Sequence, residues 1–167
     1  ALGMAGCVVA SNVLVQVPIN DWLTCGTLTY PLSFLITDVT NRARGPRAAR
    51  AVVLLGFGLA APLSAAAATA RIATASCTAF LAAQLLDVAI FDRLRRHRRW
   101  FVAPLASSAV SAAVDTFLFV ALAFHGTDLP YIQWGVGDLA VKLACALAAL
   151  LPYRAFTLSR AWRAPPP

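Results

Sequence analysis

The chain has 167 residues, 60% of them hydrophobic and 13% charged, with a mean hydropathy of +0.73. Soluble domains are typically about 45–50% apolar and about 25% charged, so this balance excludes an ordinary soluble domain and points to a polytopic membrane protein built as a single domain. The formal net charge of +7 would suggest nucleic acid in a soluble protein, but here the arginines sit in short stretches between apolar runs, so topology explains them and nucleic acid is not an expected partner.

The apolar runs fall at about 2–19, 24–40, 51–70, 72–91, 101–124 and 134–153. Most reach the roughly 17–25 residues of a spanning helix. The second is the shortest and carries Pro31, which suits a partly unwound, kinked helix. The fold expected is therefore all-α, an integral membrane protein of six transmembrane helices with an even number of crossings. One side collects Arg42, Arg44, Arg47 and Arg50, then Arg93, Arg95, Arg96, Arg98 and Arg99, and finally Arg154, Arg160 and Arg163; the other offers only Arg71. By the positive-inside rule, both termini and both Arg-rich turns are expected to be cytoplasmic, which makes the protein multi-pass.

Trp22, Trp100, Trp134 and Trp162 lie near helix ends, where amphipathic rings settle at the headgroups. The first run has no basic segment before it and no obvious small-residue cleavage site, so it reads as a retained helix rather than a signal peptide. Cys7, Cys25, Cys77 and Cys145 are isolated and form no CxxC or Cys/His cluster. They suit apolar packing, and neither a metal site nor a disulfide framework is expected.

Ionisable side chains at mid-helix are costly in lipid and almost always face a protein interior or cavity. In the first run Asn12 and Gln16 are four apart, so their amides share a face, either for a polar ligand or to tie helices together. In the second, Phe34 and Asp38 are four apart and Asn41 follows; Asp38 either belongs to a site or balances the nearby arginines. The third run holds small residues and no strongly polar side chain, which suits a packing scaffold.

The fourth carries Arg71 at its outer end and Gln84 with Asp87 on one face, while Asp92 falls among arginines as a charge partner. In the fifth, Ser111 and Asp115 are four apart near mid-membrane, with Phe119 one turn on. The sixth has Asp138 and Lys142 at i and i+4, the favourable order for an ion pair, or else groups for substrate or coupling.

No catalytic set assembles: the chain lacks Glu, HExxH and GxSxG, so an enzyme is not expected, nor a cofactor. Carboxylates, amides and aromatic rings spread over several helices suit the binding of a small polar heterocycle.

The segments SNVLVQVPI, GTLTYPLSFLITDVTNR followed by Gly45, RIATAS with QLLDVAIFDRLR, APLASS through DTFLF, and GDLAVKL with its final LPY together resemble the queuosine precursor transporter family, also described as vitamin uptake transporters. The similarity runs from about Asn12 to Tyr153. It implies an inner-membrane importer of 7-deazaguanines, the cyano or aminomethyl precursors of the tRNA base queuosine. Asn12, Gln16, Asp38, Arg71, Gln84, Asp87, Asp115, Asp138 and Lys142 fall on matching positions. One departure is Arg42, where many distant members carry Glu four residues after the second-helix Asp.

A guanine-like edge presents an N1–H beside an exocyclic amine, which one carboxylate accepts as two parallel bonds, as it does from Arg. The O6 carbonyl needs a donor such as Gln or Asn, and the ring needs a wall, for which Phe34, Phe80 and Phe119 are the candidates. The expectation is that Asp115 or Asp87 takes the edge, Gln84 and Asn12 complete it, Asp38 and Asn41 line the inner exit, and Arg71 the outer mouth. Expected partners are the small-molecule 7-deazaguanine and the lipid bilayer, with a homodimer left open. Two alternatives remain: the substrate-binding subunit of an energy-coupling-factor vitamin importer, and a membrane assembly factor whose buried charges bridge partner helices.

Overall fold

Helix dominates the chain. The computed structural model describes residues 18–20, 23–24, 31–67, 69–128 and 130–159. A short antiparallel pair, β1 (Pro18–Asn20) with β2 (Leu23–Thr24), precedes α1 (Pro31–Arg44), α2 (Pro46–Ala67), α3 (Ala70–Leu94), α4 (Val102–Phe124) and α5 (Tyr131–Leu158). Asn12, Gln16, Trp22, Trp162, Cys7, Cys25, Arg160 and Arg163 lie outside the described residues, as does the predicted first helix before residue 18.

Two predicted boundaries are corrected at the start. Pro18–Asn20 is extended although the first helix was expected to reach residue 19, and Leu23–Thr24 is strand although the second was expected to begin at 24. Proline carries no N–H for a helical ladder and tolerates extended backbone. Pro31 is then the first residue of α1 rather than a kink within it, a position whose N–H has no helical partner in any case.

The Arg-rich stretch after Asn41 is also not the open turn expected. Gly45, with φ +82°, is the only residue between α1 and α2. Its N–H donates to the Asn41 carbonyl at 3.0 Å, a left-handed glycine stop, and Pro46 begins the next helix at once. Arg42 and Arg44 therefore close α1, while Arg47 and Arg50 open α2.

α3, α4 and α5 are each long and apolar enough to cross a membrane. Neighbours in sequence pack side by side from α1 to α5, with α3 and α4 in the most extensive contact, and α1 also reaches α3 and α5. Ala49, Val52 and Val53 of α2 close on Phe80 and Val88 of α3. A second apolar cluster joins Phe91, Ala103 and Tyr153, with the Phe91 and Tyr153 rings edge-on at 6.2 Å.

Between these clusters the interior is polar: Thr37, Asp38, Asn41, Gln84, Asp87, Ser107, Ser111, Asp115 and Lys142 are all buried. The outer surface shows the reverse, with Leu54 and Leu55 of α2, Phe117 of α4, and Ile132, Val136 and Leu151 of α5 exposed. Buried polar groups are the informative departure from a soluble pattern, and an apolar exterior around them suits lipid.

The α1–α2 junction and the Arg-rich stretch that ends α3 meet at one end of the bundle, where the Arg42 guanidinium donates to the Arg95 carbonyl. The Arg154 guanidinium lies 4.9 Å from the Trp100 ring centre.

Candidate functional site

Helical spacing sorts the buried polar groups onto facing stripes. Ser33, Thr37 and Asn41 stand four apart on α1, beside Phe34 and Asp38; Gln84 and Asp87 are three apart on α3; Ser107, Ser111 and Asp115 are four apart on α4. Residues so spaced lie one above another on a helix, and here the stripes converge as three polar groups.

The first group ties α1 to α3. Gln84 Nε2 donates to Ser33 Oγ at 2.7 Å. Thr37 Oγ1 lies 2.9 Å from both Gln84 Oε1 and the Ser33 carbonyl, with one proton to offer them. Farther along, Asn41 Nδ2 donates to the Val88 carbonyl at 3.0 Å. Gln84 and Asn41 thus act as clamps between helices.

The second group, on α4 and α5, is saturated with charge. Lys142 Nζ lies 2.7 Å from Asp115 Oδ2 and 2.5 Å from Asp138 Oδ2, and it donates to Thr116 Oγ1 at 3.2 Å. Thr116 in turn donates to Asp138 at 2.6 Å. An ammonium has three protons, and each has an acceptor here. The Asp138–Lys142 spacing within one helix was visible in the sequence, whereas the contact from Asp115 across to the next helix was not.

The third group is of another kind. Asp38 of α1 and Asp87 of α3 are neighbours across the helix pair, bracketed by the Thr37–Gln84 and Asn41–Val88 bonds on the same two helices. Ser107 Oγ sits 3.3 Å from both Asp38 Oδ1 and the Pro104 carbonyl. Asp87 is fully buried, and neither of its oxygens makes a well-formed hydrogen bond among the described residues, although the Ser107 hydroxyl lies close by. Asn41 Oδ1 and Ser111 Oγ are likewise buried without a partner among them. Unpaired buried polar atoms are rare and costly in folded proteins.

Asp38 also reaches a cleft between α1, α4 and α5, whose walls include Phe34, Ser108, Ala112, Lys142 and Tyr153. Its interior measures about 10 Å³, roughly the room one water needs and far too little for a bicyclic base. The helices are closed on one another here.

Of the residues singled out in the sequence, Phe34, Asp38 and Lys142 meet at this cleft, and Asp87 backs Asp38. Asp115 and Asp138 gather on Lys142, while Gln84 is the clamp described above. Phe80 lies in the α2–α3 apolar cluster, away from the cleft wall. Phe119 packs edge-on to Phe124 at 5.7 Å. The Arg71 guanidinium donates to the Leu122 carbonyl at 3.1 Å and to that of His125 at 2.5 Å, tying the start of α3 to the end of α4.

Ser107 and Ser108 were already visible in the fifth run beside Ser111 and Asp115. The structure adds Ser33 and Thr37, whose signal was the four-residue spacing with Asn41, and Tyr153, which had none. No group of three or more metal-ligating side chains occurs among the described residues.

Residues 24–68 and 63–156 match the model of the family described as "Putative vitamin uptake transporter". The chain is 35% identical over 175 residues to the "Queuosine precursor transporter" of Escherichia coli, covering 87% of this chain and 78% of that one. It is 31% identical over 185 residues to the "Probable queuosine precursor transporter" of Haemophilus influenzae, covering 87% and 79%. The "Probable queuosine precursor transporter" of Bacillus subtilis is 32% identical over 160 residues, covering 78% and 69%. No solved structure matches the chain.

Proposed function

Because the chain belongs to the vitamin uptake transporter family, we propose that it imports queuosine precursors, 7-cyano-7-deazaguanine or 7-aminomethyl-7-deazaguanine, through a bacterial inner membrane. The printed names of its relatives support the substrate class. In this reading the chain crosses six times, with both termini and the two Arg-rich turns in the cytoplasm.

The observation that carries the reading is the juxtaposition of Phe34 and Asp38 on one face of α1, at the wall of a buried cleft, with the unpartnered carboxyl of Asp87 behind Asp38. Asp38 and Asp87 supply acceptors for the N1–H and amine of a guanine edge, and Phe34 supplies the ring wall. Gln84, Asn12 and Gln16 are assigned the role of amide donors to the base. The Asp115–Lys142–Asp138 network braces α4 against α5, and Arg71 braces the opposite end of the bundle.

The base enters only when α1, α4 and α5 separate, which calls for alternating exposure of a central site. Queuosine rescue tests this: the chain is expressed in cells that neither make nor import the precursor, each base is fed separately at low concentration, and queuosine in tRNA is measured. Restoration with at least one base is expected. No rescue despite membrane insertion would sink the reading.

A further inference from the structure

The Asp38–Asp87 contact needs an explanation that substrate binding alone does not supply. Two ionised carboxylates side by side in a low-dielectric interior repel each other, whereas one proton between them turns the contact into a hydrogen bond. The surroundings offer no other neutraliser among the described residues. α2 contributes Ala49, Val52 and Val53 to this side of the bundle, and α4 contributes the hydroxyls of Ser107 and Ser108. α5 brings Lys142, whose three protons go to Asp115, Asp138 and Thr116, and the hydroxyl of Tyr153.

On α1 the next cation, Arg42, is exposed and donates to the Arg95 carbonyl. On α3, Asp92 pairs with Arg95 at 3.0 Å. Asp87 is fully buried and, among the described residues, has close to it only the Ser107 hydroxyl, whose proton goes to Asp38. The pair is thus a dicarboxylate with one unfilled hydrogen-bond position between its members.

We propose that Asp38 and Asp87 form a site for a single shared proton, and that this proton crosses the membrane together with the imported base. The inference rests on the import reading and deepens it. Singly protonated, the pair presents one O–H donor beside carboxylate acceptors. That is the complement of a guanine edge, which accepts at O6 and donates from N1–H and the amine. While the site is empty the proton bridges the two carboxyls and keeps α1 on α3; when the base binds, the same O–H turns from the partner carboxylate to O6, and the freed carboxylate accepts from N1–H and the amine. The proton is taken from the outer solution and released inside, so no other reactant is needed.

The test uses the full chain in proteoliposomes, with 7-cyano-7-deazaguanine as the probe and a pH dye inside. An inward proton gradient is expected to drive accumulation by about tenfold per unit of pH, the equivalent of one proton per neutral base, with matching internal acidification. Asp87→Asn, which keeps the shape but carries no proton, is expected to reduce the accumulation ratio to about one. Asp38→Asn provides the same test should that variant fold poorly.

Accumulation that ignores the proton gradient, follows a sodium gradient instead, or persists unchanged in both variants would overturn the proposal. Infrared difference spectra provide a readout that needs no substrate: one protonated carboxyl is expected in the wild type at neutral pH and absent in each single variant. Its persistence in either would also overturn the shared proton. A wild type showing that carboxyl but no movement of the base would instead defeat the import reading, and with it the coupling, while leaving the proton site supported.

Discussion

Two clusters of aspartate occupy the same bundle and are treated in opposite ways. Asp115 and Asp138 converge on Lys142 at 2.7 and 2.5 Å, and Thr116 links them further. Asp38 and Asp87 face each other with hydroxyls around them and no cation bonded to either among the described residues. The first cluster is closed electrostatically and holds α4 to α5. The second keeps acceptor positions at the inner wall of a cleft, which is what a ligand requires.

In the proposed reading, depth in the membrane alone does not make Asp115 a ligand-binding group. A carboxylate near mid-membrane must have some reason to be there, but an internal cation is reason enough. Burial therefore identifies a costly group, and the partner tells whether its role is structural.

The largest effect should come from breaking the closed cluster. Lys142→Met leaves Asp115 buried without its counter-charge and is expected to destabilise the fold by about 3–5 kcal/mol, read as thermal unfolding in detergent. Adding Asp115→Asn should recover more than half of that. If the single substitution is silent, the cluster is not the brace described.

The open pair should respond the other way. Asp38→Ala or Asp87→Ala is expected to weaken base uptake roughly ten- to a hundredfold, the scale of a lost charged hydrogen bond, while stability falls by only about 1–2 kcal/mol, the single shared hydrogen bond. A large loss of stability with unchanged substrate affinity would erase the distinction between the clusters.

Gln84→Ala removes the clamp on Ser33 and Thr37 and should cost about 1–3 kcal/mol, visible in unfolding and in faster amide exchange along α1. Smallest is Gly45→Ala, whose added Cβ would come no nearer than 3.9 Å to Arg95 Nη1. Only the left-handed backbone is then penalised, by about 1–2 kcal/mol. Little change in uptake is expected from it.

Much of the helical plan was legible because apolar runs and arginine clusters are dictated by the solvent. The starts of α3 and α4 fall within two residues of expectation, at Ala70 and Val102. The start of α1 was not readable because Pro31 is compatible both with a kink and with a first helical residue. The Gly45–Pro46 junction was missed as a helix-to-helix joint because an arginine run also looks like an open loop.

Within the site, Asp38, Asp87 and Phe34 stood out as polar or aromatic residues at helical spacing. That Asp38 meets Asp87, and that Asp115 meets Lys142, depends on how each helix is rotated about its axis against its neighbours. Periodicity within a single helix does not contain that information. Arg71 illustrates the same gap, since its carbonyl partners belong to another helix end.

The most direct test is a structure of the protein with 7-cyano-7-deazaguanine bound. The account predicts the donors of the base edge at about 2.7–3.2 Å from Asp38 or Asp87 oxygens, the ring against Phe34, and Lys142 still held by Asp115 and Asp138. A base bonded to Asp115, with Lys142 displaced and the Asp38–Asp87 contact untouched, would contradict it.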